Sequence, residues 1–233
     1  KYLDGKDVGR YFISWNGLFL KYGDILAAPR TFDLFSSEKI IIREITGKYP
    51  KSIISTYSDE IYLFNMSNIS INKKLNKSID LKYITVVLNS SLMSYYFINN
   101  TAKAVRQMFP KIILQDLRQF PFKEISLKEQ EPFIQKADLM LELNKKLQEL
   151  KQNFINELNL EKVPTKLQKF EELDFDDFVK EYAKAKKLKF ADKLEERNFK
   201  NDWQRLFEND KKEVLEIQNQ INITDKEIDQ MVY

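Results

Sequence analysis

The apolar and polar positions of residues 1–121 alternate in short runs, a pattern typical of β-strands separated by turns. Asn16 and Gly17 lie between two such runs, and Asn-Gly favours a tight hairpin because both residues tolerate positive φ. We therefore predict a hairpin that pairs residues 11–15 with residues 18–22. Further strands are predicted at residues 39–45, 52–57, 61–65 and 111–114.

The pattern changes between residues 80 and 98, where apolar side chains recur every three or four positions. Asp80 is a favourable N-cap residue, so we predict one helix in this region that packs on the sheet. The preceding segment, SNISINKKLNKS at residues 67–78, is rich in asparagine and lysine, and we interpret it as a loop.

Beyond residue 121 the chain has the composition of long helices with few breakers. Ser126 and Glu129 have the spacing of a capping box, which predicts a helix start. Apolar residues then repeat every seventh position, and a second apolar stripe at residues 199–221 is long enough to lie antiparallel to them. The residues of this predicted seam are Phe133, Met140, Leu147 and Phe154. We also predict a short loop before Thr224, followed by a new helix whose capping box Glu227 completes.

Turn-forming residues are concentrated near the beginning of the chain, where all five glycines lie within the first 47 residues. Together with the predicted elements, this distribution indicates the α+β (α/β) class. We predict a mixed-sheet domain at residues 1–121 and a long-helix, coiled-coil-like domain at residues 122–233. Within the helical domain, residues 161–203 are interpreted as a helical insertion.

The chain contains no cysteine and no histidine, which excludes disulfides, thiolate nucleophiles, histidine-based triads and nearly every type of zinc site. The acidic residues at 171–177 lack the spacing of a calcium loop, and we interpret them as the cap of a helix. Gly-rich nucleotide-binding loops and nucleophile elbows are absent from the sequence. No apolar run approaches the ~20 residues of a membrane span. We therefore expect a soluble intracellular protein.

Charge is distributed unequally between the two predicted domains. Residues 1–121 carry 17 Lys and Arg against 10 Asp and Glu, whereas residues 122–233 carry 21 against 25. A basic half points to a polyanion such as DNA, because phosphate contacts need uncompensated cations and base reading needs Arg, Lys, Asn or Gln near a groove. The candidate DNA-binding residues are Arg10, Lys21, Arg30, Arg43, Lys48, Lys51, Lys73, Lys74, Lys77, Lys103, Arg106 and Gln107.

Several blocks of the chain resemble one known family, and they occur in the same order. They are GKDVGRY at residues 5–11, LKYG at 20–23, PR at 29–30, KIIIR at 39–43, ITVVLNSSLMSYYF at 84–97 and the proline-marked LRQFPFKEISLKEQEPF at 117–133. The chain is similar to the TaqI-like C-terminal specificity domain, the target-recognition domain of type IIG-like restriction–modification enzymes with an adenine-specific DNA methyltransferase region. The helical part also resembles the spacer of type I specificity subunits.

The resemblance implies that the chain recognises a specific sequence in double-stranded DNA and has no catalytic activity of its own. Catalysis would belong to a methyltransferase region, with or without a nuclease, upstream in the same bacterial cytoplasmic polypeptide. That region would use S-adenosylmethionine, and Mg²⁺ where a nuclease is attached. The ends of the sequence suit an excised fragment. Specificity loops diverge within this family, so the resemblance assigns no base-reading residue.

Two other functions are compatible with the residues. The heptad seam at residues 133–154 would suit a protein-interaction scaffold that pairs with another chain. Carboxylates and lysines would suit a Mg²⁺-dependent enzyme, although no Asp…Glu-x-Lys arrangement of the nuclease kind is convincing. Sedimentation of the chain tests the first alternative, and incubation with DNA and Mg²⁺ tests the second.

Overall fold

The computed structural model describes residues 1–73, 78–101 and 110–233. The chain divides into two compact units, the first made of residues 1–142 and 224–233 and the second of residues 143–223. Small sheets with short helices come first in the chain, and two long helices that pack together follow. This arrangement confirms the predicted α+β class.

The strands in the described part of the first unit are short and form three separate sheets. Strands β1 and β6 pair in parallel, β2 and β3 pair antiparallel, and β4 is the centre of an antiparallel sheet of order β5-β4-β7. Their bounds are β1 (Tyr2–Leu3), β2 (Val8–Gly9), β3 (Phe12–Ile13), β4 (Lys39–Arg43), β5 (Ser55–Ser58), β6 (Leu63–Phe64) and β7 (Asn68–Asn72). The strands predicted at residues 39–45, 52–57 and 61–65 are therefore present, each shorter than expected or shifted by a residue or more.

The helices lengthen along the chain. Their bounds are α1 (Asp33–Ser36), α2 (Leu81–Leu88), α3 (Ser91–Asn100), α4 (Leu114–Leu117), α5 (Leu127–Glu157), α6 (Phe175–Lys186) and α7 (Lys193–Val232). The predicted start of α5 is confirmed, since the backbone N–H of Ser126 donates to Glu129 Oε2 at 2.8 Å and that of Glu129 to Ser126 Oγ at 3.3 Å. Asp174 caps α6 in the same manner, accepting from the N–H of Asp177 at 2.8 Å.

Three consecutive isoleucines in β4 connect the sheet to two apolar clusters. Ile40 and Ile42 pack with α2 and α3, whereas Ile41 joins Leu3 and Val8 in a separate cluster. Successive side chains of a strand point to opposite faces, so one β-branched run can fill both clusters. All three side chains are fully buried.

The predicted hairpin at Asn16-Gly17 is wrong. The tight turn lies one segment earlier, where β2 and β3 are joined through Arg10 and Tyr11, and Tyr11 adopts φ 63° while its ring is buried. Residues 18–22, all of which the structure describes, form no strand. Burial of a large ring has set the position of the turn against the local Asn-Gly preference.

Four other predicted boundaries are corrected by the structure. Part of the supposed loop at residues 67–78 is strand β7, because Ile69 and Ile71 pack on the core behind the sheet. The single helix expected at residues 80–98 is two helices that meet at Asn89 and Ser90, and Ser90 Oγ caps α3 by accepting from Met93 N at 3.1 Å.

At residues 111–114 only Lys111 forms a β-bridge, with Ile45, and Leu114 already begins α4. The loop expected before Thr224 does not exist, because α7 runs without a break from Lys193 to Val232. Thr224 is a buried residue inside this helix, and Glu227 pairs with Lys136 at 2.6 Å instead of completing a capping box.

The second unit is built around aromatic rings. The rings of Phe154 and Phe170 stack with centroids 3.8 Å apart, and those of Phe178 and Phe207 lie 4.7 Å apart. Seam residues of α5 and stripe residues of α7 share this one core. The predicted antiparallel stripe is therefore used inside the chain, which leaves these seam positions covered and not available to a second chain.

Candidate nucleic-acid interface

An irregular segment, residues 14–32, joins β3 to α1 and carries two of the predicted cations, Lys21 and Arg30. Its first turn is held by side chains: Trp15 Nε1 donates to the carbonyl of Leu18 at 2.7 Å, and Asn16 Oδ1 accepts from the N–H of Leu18 at 3.1 Å. Asn16 also donates to Asp7 Oδ2 at 3.2 Å. The Asn-Gly pair thus makes a turn that starts a loop.

Arg30 borders a cleft of about 1090 Å³ in the first unit. The hydroxyl of Tyr22 donates to the carbonyl of Arg30, which fixes the backbone there, while the Arg30 side chain stays exposed. Aromatic rings, including Phe35 and Phe64, and the end of β7 at Asn68 complete the walls. Within the described residues neither Lys21 nor Arg30 has a carboxylate within ion-pair distance.

The surface of this region is unusually apolar for a loop. Phe19 is 75 % exposed and Ile25 is 76 % exposed in segment 14–32, and Met66, which lines the cleft, is 85 % exposed. Large apolar side chains left in water next to cations are typical of contact surfaces. In DNA complexes such side chains contact thymine methyl groups or insert between base steps.

Two further predicted cations, Arg43 and Lys73, lie at opposite ends of the three-stranded sheet. Lys39 pairs with Asn72 and Arg43 with Asn68 in the antiparallel register, so Lys73, which follows β7, lies at the end of the sheet away from Arg43. At ~3.4 Å per residue these ends are about 14 Å apart. Arg43 immediately precedes Glu44 and pairs with Asn68, two wall residues of the cleft, but Arg43 does not itself line it.

Arg10 and Lys51 have a different environment, because both are ion-paired to the last turns of α7. Arg10 donates to the two carboxylate oxygens of Asp225 at 2.6 and 3.1 Å, and Lys51 lies 3.2 Å from Asp225 and 2.7 Å from Asp229. Ser91 also donates to Asp229 through its N–H and hydroxyl. We call these five residues the anchor cluster. Its cations are compensated within the first unit.

The pKa of Asp229 reflects this environment. Burial by itself would raise the pKa of the carboxyl, but the hydrogen bonds from Lys51 and Ser91 favour the charged form and lower it below the ordinary value. The Asp229 carboxyl is therefore ionised at neutral pH. The anchor cluster attaches the end of α7 to the first unit.

The remaining predicted DNA-binding residues are Lys48 and five residues that the structure does not describe. Lys48 is exposed in the turn whose ends are joined by the Gly47 N to Ser52 O hydrogen bond of 2.7 Å. The other five candidates lie outside the described residues. They are Lys74, Lys77, Lys103, Arg106 and Gln107.

Asn89, within the family-like block at residues 84–97, has a structural role although it is not among the predicted site residues. Its side-chain amide accepts from the N–H and hydroxyl of Ser55 at 3.1 Å each and donates to the Ser55 carbonyl at 2.9 Å, while its own carbonyl accepts from Arg10. Asn89 thereby connects β5, α2 and the anchor cluster. A polar residue that ends an apolar helix was the only signal in the sequence.

Other classes of site are not evident in the described part of the chain. Residues 1–73, 78–101 and 110–233 contain no group of three or more Asp or Glu side chains placed to hold a metal ion. In the same residues, no helix combines the length and the hydropathy that a bilayer crossing requires.

Comparison with known proteins divides the chain into two matched regions. Residues 126–232 match a domain of unknown function, DUF8810. No curated protein matches the chain. Residues 1–122, just over half of the chain, match the TaqI-like C-terminal specificity domain. Such a domain implies recognition of a DNA target in a restriction–modification enzyme, and it is not a catalytic domain. This match agrees with the loops, the cleft and the uncompensated cations of the first unit. The chain belongs to the TaqI-like C-terminal specificity domain family.

Proposed function

We propose that residues 1–121 recognise a specific sequence in double-stranded DNA, with segment 14–32 and the cleft beside Arg30 as the principal contact surface. The observation that carries this proposal is that Lys21 and Arg30 are exposed without an acidic partner beside exposed apolar residues, whereas Arg10 and Lys51 are neutralised internally. Arg43, Lys48 and Lys73 are secondary candidates for phosphate contacts. Residues 122–233 would serve as a spacer that connects recognition to the catalytic region.

In this proposal the chemistry belongs to another part of the enzyme. A methyltransferase region that modifies adenine with S-adenosylmethionine would act on the site that the specificity domain selects. The described residues supply contacts of two kinds. Contacts from cations to phosphates fix the position of the domain on DNA, and contacts from side chains in a groove discriminate between bases.

The test is selection of bound sequences from a random duplex pool, followed by titration of the enriched duplex and of a scrambled duplex. The wild-type chain should enrich one motif. Replacing Lys21 and Arg30 by alanine should reduce discrimination between the two duplexes, by about 1–3 kcal/mol for each bidentate base contact that is lost.

The matched control replaces Lys162 and Arg205, which are also one exposed lysine and one exposed arginine without a carboxylate partner in the second unit. This control should retain the wild-type discrimination ratio. Failure of the wild-type chain to enrich any motif, even when joined to its methyltransferase region, would refute the proposal. Equal losses in the two double variants would show that only net charge matters.

A further inference from the structure

The second unit carries a group of exposed cations where α6 gives way to α7. These are Lys184, Lys187, Lys189, Lys193 and Arg197, which we call the junction cations. None of them has a carboxylate within 4 Å, and the whole of the second unit, residues 143–223, is described. They lie in a half of the chain whose total charge is negative.

Carboxylates lie nearby in the sequence, but they bind other groups. Asp192 Oδ1 accepts from the backbone N–H groups of Leu194 and Glu195, at 2.8 and 2.9 Å, and Glu195 accepts from that of Ala191 at 2.5 Å. Glu196 is paired with Lys200 at 3.4 Å. Asp192 and Glu195 therefore bind backbone N–H groups at the start of α7, Glu196 pairs with Lys200, and none of the three forms an ion pair with a junction cation.

Helix stability explains only some of these positions. Lys184 lies in the last turn of α6, where a cation interacts favourably with the helix dipole. Lys193, in contrast, opens α7, and Arg197 follows about one turn later, at the end of a helix dipole that repels cations by roughly 0.3–1 kcal/mol. The helix dipole therefore does not account for Lys193 and Arg197.

The segment that carries the junction cations is held in place. The ring of Phe190 contacts that of Phe199 with centroids 5.3 Å apart, and Phe199 in turn stacks on Tyr182 at 5.8 Å in the core of the unit. Lys187, directly after α6, adopts the left-handed conformation with φ 57°. A fixed backbone presents charges to a partner with a smaller loss of conformational entropy than a free tail would.

From these observations we infer that the junction cations form a second DNA contact that binds backbone phosphates without reading bases. The inference rests on DNA being the ligand of this family, and it extends the contact surface from the specificity domain to the region of unknown function. An anionic lipid surface is a poorer fit, because the apolar face of α6, with Phe178 and Val179, is buried in the core, and the large apolar side chains exposed between the junction cations are two leucines, Leu188 and Leu194.

The experiment compares two variants of the full 233-residue chain that lose the same charges. One has Lys187→Gln, Lys189→Gln, Lys193→Gln and Arg197→Gln. The matched control has Lys145→Gln, Lys146→Gln, Lys162→Gln and Arg205→Gln, which remove exposed cations of the same unit that also lack carboxylate partners. Affinity for a duplex is measured as a function of salt concentration.

Each phosphate contact contributes about 0.9 to the slope of log K against log salt. The junction variant should lower the magnitude of this slope by between about 0.9 and about 3.6, corresponding to one to four lost contacts. The control should match the wild type. Junction and control variants with equal slopes would overturn the inference.

Two further measurements separate this inference from the proposed function. The ratio of affinities for the enriched and scrambled duplexes should be unchanged in the junction variant; a reduced ratio would overturn the claim that the contact reads no bases. If the wild type shows no sequence preference but the junction variant still has the lower slope, the proposed function fails and the inference stands. Binding to phosphatidylserine–phosphatidylcholine vesicles that depends on the junction cations, together with an unchanged DNA slope, would assign them to a lipid surface instead.

Discussion

Arg10 and Lys51 are indistinguishable from other cations in the sequence, but each lies beside a carboxylate of α7 in the folded chain. The distance between Lys51 and Asp229 along the chain is 178 residues, so no local pattern could reveal the pair. Lys39 is a similar case. It is fully buried at the start of β4, donates to the carbonyls of Ser37 and Glu60, and has a pKa lowered by burial.

At the residue scale we predict that Asp229→Asn destabilises the chain through the anchor cluster. The change removes the charge that Lys51 and Ser91 stabilise, and both partners are only partly exposed. We expect the free energy of unfolding at pH 7 to fall by about 1–2 kcal/mol, a value between those of surface pairs and of hydrogen bonds to buried charges. Urea unfolding followed by far-UV circular dichroism measures it.

The pH dependence of this effect has a defined sign. Because the pKa of Asp229 is lowered in the folded chain, its contribution is complete above the ordinary carboxyl pKa of about 3.9 and is lost as pH falls through the lower folded value. The difference between wild type and Asp229→Asn should therefore shrink at pH 3. Asp24→Asn, an exposed acid without an ion-pair partner among the described residues, is the control. Equal effects of the two substitutions would contradict the role of the anchor cluster.

At the scale of elements, the start of α5 follows the sequence pattern closely, whereas the loop predicted over β7 and the break predicted in α7 do not exist. Heptad and capping-box spacings locate α5 because helical side chains interact with neighbours three to seven positions away. Strand β7 pairs with β4 although β5 and β6 lie between them in the chain, so its existence depends on a partner distant in sequence. Local patterns contain little information about such pairing.

The continuity of α7 through residue 223 gives a prediction at this scale. In an unbroken helix, Ile223→Pro removes a backbone hydrogen bond and clashes with the preceding turn, so the free energy of unfolding should fall by about 3 kcal/mol or more. Ile223→Ala is the control, because this side chain is about half exposed and its loss should have a small effect. Urea unfolding of both variants tests the prediction. Indistinguishable stabilities would indicate a loop at this position.

At the scale of the whole molecule, side chains of the heptad seam pack against α7 of the same chain. Leu147 and Phe154 share an apolar core with Phe207, Val214 and Ile217 of α7. A covered seam offers no surface for a second helix, in contrast to the open seam of a dimeric coiled coil. The scaffold alternative considered from the sequence therefore loses its principal support.

We accordingly predict that the isolated chain is a monomer. Sedimentation equilibrium at micromolar to tens of micromolar concentration should give the mass of one chain, 27.8 kDa, without dependence on concentration. Phe154→Ala should leave a cavity in the core and lower the free energy of unfolding of the second unit by about 3–5 kcal/mol. The variant should still sediment as a monomer. A concentration-dependent dimer in the wild type would contradict this prediction.

The sequence by itself determined the features that depend on near neighbours and on composition. The α+β class, the start of α5, the cap of α6, the two apolar stripes and the membership in the specificity-domain family all follow from residues close together in the chain. Only the tertiary structure decided which cations remain free, where the first hairpin turns, and that β7 is a strand. Ion pairing, ring burial and strand pairing join residues far apart in the chain, and their energies depend on distances that folding alone creates.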